Sequence, residues 1–236
     1  MIQFIELYIL RIMGQKAIVV GASGSIGNQV LKQLLTNEGY SEVLILVRKD
    51  IGIQHPKLQQ LILNFEEINK YSAQITGDVV FCCLGTTKSQ TPDEVEYKKI
   101  DYQYPLDVAW IAQTNGAKSY HLISAIGANK DSSTFYIRTK GEVERDLKAV
   151  PFESIYIYRP SLLDGERKEK RTVEKISNAV MKVINPLLFG GMKKYRSIKV
   201  ETVANAMIQN SFATKNGIFV YESDQIQEIG QPVKQG

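Results

Sequence analysis

Cysteine is nearly missing from this 236-residue sequence, which holds two, Cys82 and Cys83, adjacent within an apolar run. Neighbouring thiols cannot staple a fold, so a disulfide scaffold is excluded, and so is a structural zinc site, which needs spaced nitrogen and sulfur ligands. Free thiols suit a reducing compartment, and the expected location is cytoplasmic. Charge of one sign is scarce too: 29 Lys and Arg against 25 Asp and Glu leave +4, too little and too dispersed for a nucleic-acid footprint. No run of apolar residues reaches the roughly 20 needed to span a bilayer. The most apolar terminal segment, 1–13, also lacks the basic start and small-residue cleavage site of a secretory signal. The expected partner is therefore a small molecule, with no nucleic acid and no membrane, and the protein is a monomer or homodimer.

Hydrophobic residues make up 44% of the chain, enough for a sizeable core. Short Val- and Ile-rich runs alternate with amphipathic stretches of ten or more residues. That alternation predicts strands at 17–20, 43–47, 61–63, 78–84, 119–124 and 154–158. Helices are predicted at 26–37, near 66–71, at 93–115 with an interruption near Pro105, and at 135–148. Strand and helix in turn give an α/β class, a Rossmann doubly wound parallel sheet, with ligands bound past the carboxyl ends of the strands. Beyond Pro160 the alternation weakens: a charged run at 164–171 precedes helices at 173–185 and 201–211 and a last strand at 217–221. The expected organisation is an N-terminal extension at 1–12 and a single Rossmann domain at 13–236, with 161–236 forming a small substrate-side cap.

The segment Gly21-Ala22-Ser23-Gly24-Ser25-Ile26-Gly27 follows a strand and opens a helix. Glycine allows a tight turn and close approach of a ligand, and the free N–H groups of a helix start favour a pyrophosphate. The Gly-Lys-Ser/Thr ending of a nucleoside-triphosphate loop is absent, since Ile26 and Asn28 flank the last glycine. An ordinary strand-to-helix turn is the plainer alternative. After the second strand, where NAD-binding sheets carry an acid, the chain has Arg48 and Lys49. A guanidinium fork and an ammonium suit a 2′-phosphate, so NADP(H) is preferred over NAD(H), although the pair would also serve as solvated loop charges.

Tyr136 and Lys140 lie four apart on one predicted helix face. A free phenol is a poor acid-base catalyst at neutral pH, and a neighbouring ammonium stabilises the phenolate. Ser124, at the end of the fifth predicted strand, is placed to hydrogen-bond a substrate carbonyl.

The glycine turn, Arg48-Lys49, Ser124 and the Tyr136-Lys140 spacing together resemble the short-chain dehydrogenase/reductase superfamily in its extended or atypical branch. Cys82-Cys83-Leu84-Gly85-Thr86-Thr87, the Gly141-Glu142-Val143-Glu144 that follows Lys140, and Tyr158-Arg159-Pro160 narrow the resemblance to the Tat-interacting-protein group of oxidoreductase-like proteins and its bacterial relatives. It implies that Gly21, Ser23, Gly24, Ser25 and Ile26 wrap the pyrophosphate, that Arg48 and Lys49 hold the 2′-phosphate, and that Asn64 and Phe65 flank the adenine. Leu84, Gly85 and Thr86 would run past the nicotinamide-side ribose, and Lys140 would hold that ribose as well as polarise Tyr136. Pro160 to Leu163 would face the nicotinamide, with Arg171 as a further phosphate contact. The sequence departs from the common pattern at Val20, where many relatives have Thr, and after Ser124, where Ala125 and Ile126 replace a run of hydroxyl residues.

The implied activity is NADP(H)-dependent oxidoreduction of a small carbonyl or alcohol, with Tyr136 as acid-base, Ser124 orienting the oxygen and Lys140 supporting Tyr136. The alternatives are a non-catalytic NADP(H)-binding regulatory or redox-sensing protein, and an isomerase or epimerase with a retained cofactor. Cys82, Cys83 and His121 read as core residues, and His55 as a loop residue.

Overall fold

The computed structural model describes residues 14–164 and 190–231. The expected extension at 1–12, most of the charged run, the helix at 173–185 and Arg171 lie outside the described residues.

Seven strands form one parallel sheet: β1 (Gln15–Val20), β2 (Tyr40–Val47), β3 (Leu58–Ile62), β4 (Val79–Cys82), β5 (Ser119–Ile123), β6 (Ser154–Arg159) and β9 (Gly217–Glu222), in the order β3-β2-β1-β4-β5-β6-β9. This is the expected doubly wound sheet. Helices α1 (Ser25–Thr36) and α5 (Val200–Ser211) cover one face, and α3 (Tyr104–Thr114) and α4 (Phe135–Leu147) the other. Successive strand residues point to opposite faces. In β1, Ala17 and Val19 therefore enter one core with Val30, Leu34 and Met207, while Ile18 and Val20 enter the other with Leu106, Val108 and Val143. Burial on both sides explains why the central strands read as unbroken apolar runs rather than alternating ones.

The edges are less legible. β3 begins three residues before its predicted start, because it pairs with β2 alone and tolerates Gln59 and Gln60. At the other edge β9, expected as part of a cap, pairs parallel with β6 and extends the main sheet. It leads into α6 (Ser223–Gly230), which the hydrophobic pattern did not announce. The signal for α6 was a capping box in which the Glu222 side chain accepts from the backbone of the third helical residue, Gln225, whose own side chain accepts from the Glu222 N–H. A second sheet of two short strands, β7 (Leu163–Asp164) and β8 (Ile198–Lys199), also went unpredicted.

The helix expected over 93–115, with an interruption near Pro105, instead runs on from Glu94 to Thr114 and changes its winding before Pro105. A first turn, α2 (Glu94–Lys98), widens into a π-helical segment, Lys99–Gln103, and α3 then resumes α-helical winding with Pro105 as its second residue, so the widened turn accommodates a residue that has no N–H to give. The widened segment holds Asp101, buried in the interior.

Four strands share an aromatic ladder. Phe81, His121, Tyr156 and Phe219 are register partners on β4, β5, β6 and β9, and their rings stack at 5.0, 4.5 and 5.1 Å. His121 is fully buried; its Nδ1 pairs with the Tyr158 hydroxyl at 3.1 Å, and Nε2 has no partner. Burial lowers its pKa to about 3 from 6.5. Between those values the unfolded chain binds a proton that the folded protein refuses. Stability conferred by neutral His121 is therefore complete above pH 6.5 and is lost as pH falls, at up to about 1.4 kcal/mol per unit. Urea unfolding at about pH 7 and about pH 5 is expected to show this loss in the wild type. His121→Phe, which keeps the stack without the titrating ring, is expected to show a shallower one.

Candidate active site

The C-terminal ends of the main strands open on one side, and the strand order reverses between β1 and β4, where a crevice forms. Gly21 makes the turn out of β1 at φ +83°, and a Cβ there would lie 2.6 Å from the Cys83 carbonyl oxygen. At Gly27 a Cβ would come within 2.1 Å of the Gly21 carbonyl oxygen, so α1 can close on the turn only with hydrogen at that position. The N-cap of α1 is Gly24, which offers no side-chain acceptor, and no acid occupies the first turn. The helix therefore presents unpartnered N–H groups and the positive end of its dipole to the crevice. That is a fit for a pyrophosphate.

A cleft of about 980 Å³ runs from this helix end across β4 and β5. It brings together Ser23, Gly24, Ser25, Ile26, Leu84, Gly85, Thr86, Ser124, Tyr136, Lys140, Pro160 and Leu163 from the expected set. A smaller cavity of about 400 Å³ beyond β2 and β3 is lined by Arg48, Ile62, Leu63, Asn64 and Tyr71. Lys49 is exposed and lines neither. Phe65 differs from expectation: its ring is buried and stacked on Tyr104 at 5.2 Å, so it supports the cavity from within the core instead of flanking an adenine. Gly21 acts through the turn and lines neither space.

Three residues of α4 project along one stripe: Tyr136, Lys140 and Glu144, each four residues after the last. Tyr136 is 40% exposed in the cleft, whereas Lys140 and Glu144 are buried. Lys140 Nζ lies 2.8 Å from Asp101 Oδ1 and 3.5 Å from the Ile123 carbonyl. Burial acts most strongly and would lower the lysine pKa; the Asp101 carboxylate, with smaller contributions from Tyr136 and Cys82, outweighs it and holds the ammonium above the ordinary lysine value. Asp101 Oδ2 accepts the Thr86 N–H at 2.8 Å.

Ser124 also departs from its expected role. Its hydroxyl donates to Glu144, whose carboxylate is gripped by Arg159 Nε and Nη2 at 2.9 and 2.6 Å. A serine has one proton to give. With that proton directed to a buried carboxylate, the Ser124 hydroxyl faces the cleft as an acceptor in this structure, not as the donor expected for a substrate carbonyl.

Asp101, Glu144 and Arg159 were thus missing from the sequence-derived site. Glu144 was recoverable by extending the four-residue spacing once more, and Arg159 stood in the quoted Tyr-Arg-Pro motif. Asp101 gave only the weak signal of an acid between apolar helical residues. Both thiols behave as packing groups: burial pushes Cys82 and Cys83 above the usual thiol value, although Cys83 borders the cleft. Among the described residues no helix is long and apolar enough to cross a membrane, and no three His, Cys, Asp or Glu cluster as metal ligands.

Comparison with known proteins agrees with this geometry. The profile of a family described as NAD(P)H-binding matches residues 21–210. Protein HTATIP2 of Rattus norvegicus is 30% identical over 211 residues, which cover 88% of this chain and 85% of that protein. Protein FMP52-1, mitochondrial, of Scheffersomyces stipitis is 30% identical over 223 residues, covering 90% and 97%. Among solved structures, the Helicobacter pylori ADP-L-glycero-D-manno-heptose-6-epimerase superposes with a TM-score of 0.68 over 93% of this chain and 81% of its own, at 14% identity, a likeness of fold alone. The fungal relatives' names overturn the cytoplasmic expectation: several are designated mitochondrial. Two free thiols indicate reducing conditions and do not choose among the compartments that supply them. The chain belongs to the NAD(P)H-binding family, as a homologue of the HTATIP2 and FMP52 proteins with the fold of the extended short-chain dehydrogenases and epimerases.

Proposed function

We propose that the protein is an NADP(H)-dependent oxidoreductase of a small carbonyl or alcohol. The observation that carries this reading is one cleft that holds Tyr136 and Lys140 together with the uncapped start of α1. A nicotinamide cofactor bound there supplies the hydride chemistry. Tyr136 gives its phenolic proton to the carbonyl oxygen in reduction and takes it back in oxidation. The Lys140 ammonium stabilises the phenolate that this exchange creates. Ser124, an acceptor in the cleft, orients a neighbouring O–H group, which leaves Tyr136 as the proton donor to the reacting oxygen. Ser23, Gly24, Ser25 and Ile26 hold the pyrophosphate, and Leu84, Gly85, Thr86, Pro160 and Leu163 border the nicotinamide half.

Preference for the 2′-phosphate rests on Arg48 at the small cavity, with Lys49 as a second, solvent-side charge. The first acid that follows in the sequence, Asp50, has Oδ1 occupied by the Gly52 N–H and by Gln60 Nε2, both at 2.8 Å, so it does not offer both carboxylate oxygens to a ribose diol. Isothermal titration with NADPH and NADH tests this. NADPH is expected to bind at least about 10-fold more tightly, and Arg48→Glu to remove that advantage, since a charged hydrogen bond contributes about 1.5–3 kcal/mol. Equal affinities in the wild type would refute the NADP preference.

A further inference from the structure

We propose that Glu144 is a specificity-determining residue: by taking the Ser124 proton it turns the serine into an acceptor, so that the site favours carbonyl substrates with a hydroxyl on the adjacent carbon. The proposal rests on the oxidoreductase reading given above and narrows its substrate class to α-hydroxycarbonyls, or vicinal diols in the reverse direction.

The device spans β5, α4, β6 and β9. Ser124 directly follows β5 and lines the cleft, and its hydroxyl donates to Glu144 on α4. Arg159, the last residue of β6, holds the same carboxylate, with Nε 2.9 Å from Oε1 and Nη2 2.6 Å from Oε2. Its Nη1 reaches Glu222 Oε1, at the end of β9, at 3.1 Å. The Glu144 side chain is 3% exposed, so the guanidinium supplies the counter-charge that a carboxylate at this depth requires. An ionised carboxylate only accepts and a guanidinium only donates, so every link in this chain has a fixed direction. Ser124 cannot turn its proton toward the cleft without leaving a buried carboxylate one donor short.

What the serine offers the cleft is therefore a lone pair. A carbonyl oxygen would meet it lone pair to lone pair, whereas a hydroxyl brings it a proton. Tyr136, exposed in the same cleft, remains the donor for the carbonyl oxygen. A substrate that satisfies both side chains carries a carbonyl and a hydroxyl close together. A hydroxyl on the carbonyl carbon itself would make a carboxylic acid, so the nearest position for it is the adjacent carbon. Thr87, Ser89 and Gln90, from the loop after β4, line the same cleft with polar groups that suit an oxygenated substrate. On reduction the carbonyl carbon gains hydride and its oxygen gains the Tyr136 proton, giving a vicinal diol as the nicotinamide is oxidised; the substrate hydroxyl keeps its proton throughout.

The test is NADPH oxidation with hydroxyacetone and with methoxyacetone, whose ether oxygen activates the carbonyl in the same way but carries no proton. The readout is the ratio of their kcat/KM values in wild type, Ser124→Ala and Glu144→Gln. Wild type is expected to favour hydroxyacetone by at least about 10-fold, because a site built to bond an O–H rejects the analogue that lacks it. Ser124→Ala removes the acceptor, and Glu144→Gln lets an amide N–H donate to the serine and frees the serine proton for the cleft. Each is expected to bring the ratio within about threefold, the scale of losing one hydrogen bond. A purely structural role for Glu144 would lower both substrates alike and leave the ratio in place. A smaller wild-type preference overturns the proposal without need of any variant, and so does an unmoved ratio in either variant once folded. NADPH titration run alongside separates the two failures: cofactor bound and oxidised without the preference defeats this proposal alone. Absence of binding, or of oxidation with any carbonyl, defeats the oxidoreductase reading and this proposal with it.

Discussion

Tyr136→Phe is expected to reduce kcat by about 10²- to 10⁴-fold, the usual contribution of a positioned acid-base group, with NADPH affinity changed by less than about threefold. Tyr136 stands 40% exposed in the cleft, its ring joined to the helix rather than to the core, so loss of the hydroxyl leaves packing intact. The measurement is NADPH oxidation against a panel of small carbonyls, with cofactor binding titrated in parallel. A variant that turns over at the wild-type rate would remove Tyr136 from the mechanism. An undiminished isomerisation without net cofactor oxidation would favour epimerase chemistry.

The second large effect concerns stability. Lys140→Met leaves the Asp101 carboxylate buried without its cation, and breaking a buried pair from one side costs about 3–5 kcal/mol. For a chain of this size that is a fall in Tm on the order of 10 °C. Asp101→Asn combined with Lys140→Met removes both charges while keeping an acceptor for the Thr86 N–H, and is expected to recover most of the loss. Thermal or urea unfolding of the two singles and the double gives the coupling directly. Additive losses would show that the two side chains do not depend on one another.

The fold was legible where burial is two-sided. Runs such as Ala17 to Val20 and Val43 to Val47 have to be apolar because both faces of the sheet are covered, and the glycine turn is dictated by backbone contacts that no Cβ could survive. Legibility failed where a constraint is only partial or is tertiary. β3 at the edge carries glutamines, α6 begins with an unusual glutamate cap, and the two-residue strands β7 and β8 are too short to carry a period. In the cleft, spacing placed Tyr136 and Lys140 on one helix face, since a helix brings fourth neighbours together, and both line it. Spacing did not reveal what the side chains are bonded to. Ser124 matched by position, yet its proton is claimed by Glu144, and Phe65 matched by position, yet its ring turns inward; both outcomes depend on partners distant in the chain.

The two-residue ladder of β7 and β8 has a meaning for how such a protein changes. Leu163 pairs with Ile198 and Asp164 with Lys199, so the two chain segments that flank 165–197 are held side by side, next to cleft residues Pro160, Leu162, Val200 and Glu201. The chain then returns through α5, against the helix that opens the pyrophosphate turn, and through β9 into the main sheet. Closing a longer connection over the same ladder costs only about 0.6 kcal/mol per doubling of length. A change in the number of residues between 164 and 198 is therefore expected to cost folding little, because the ladder, and not the length of the intervening chain, sets where its two ends meet the cleft.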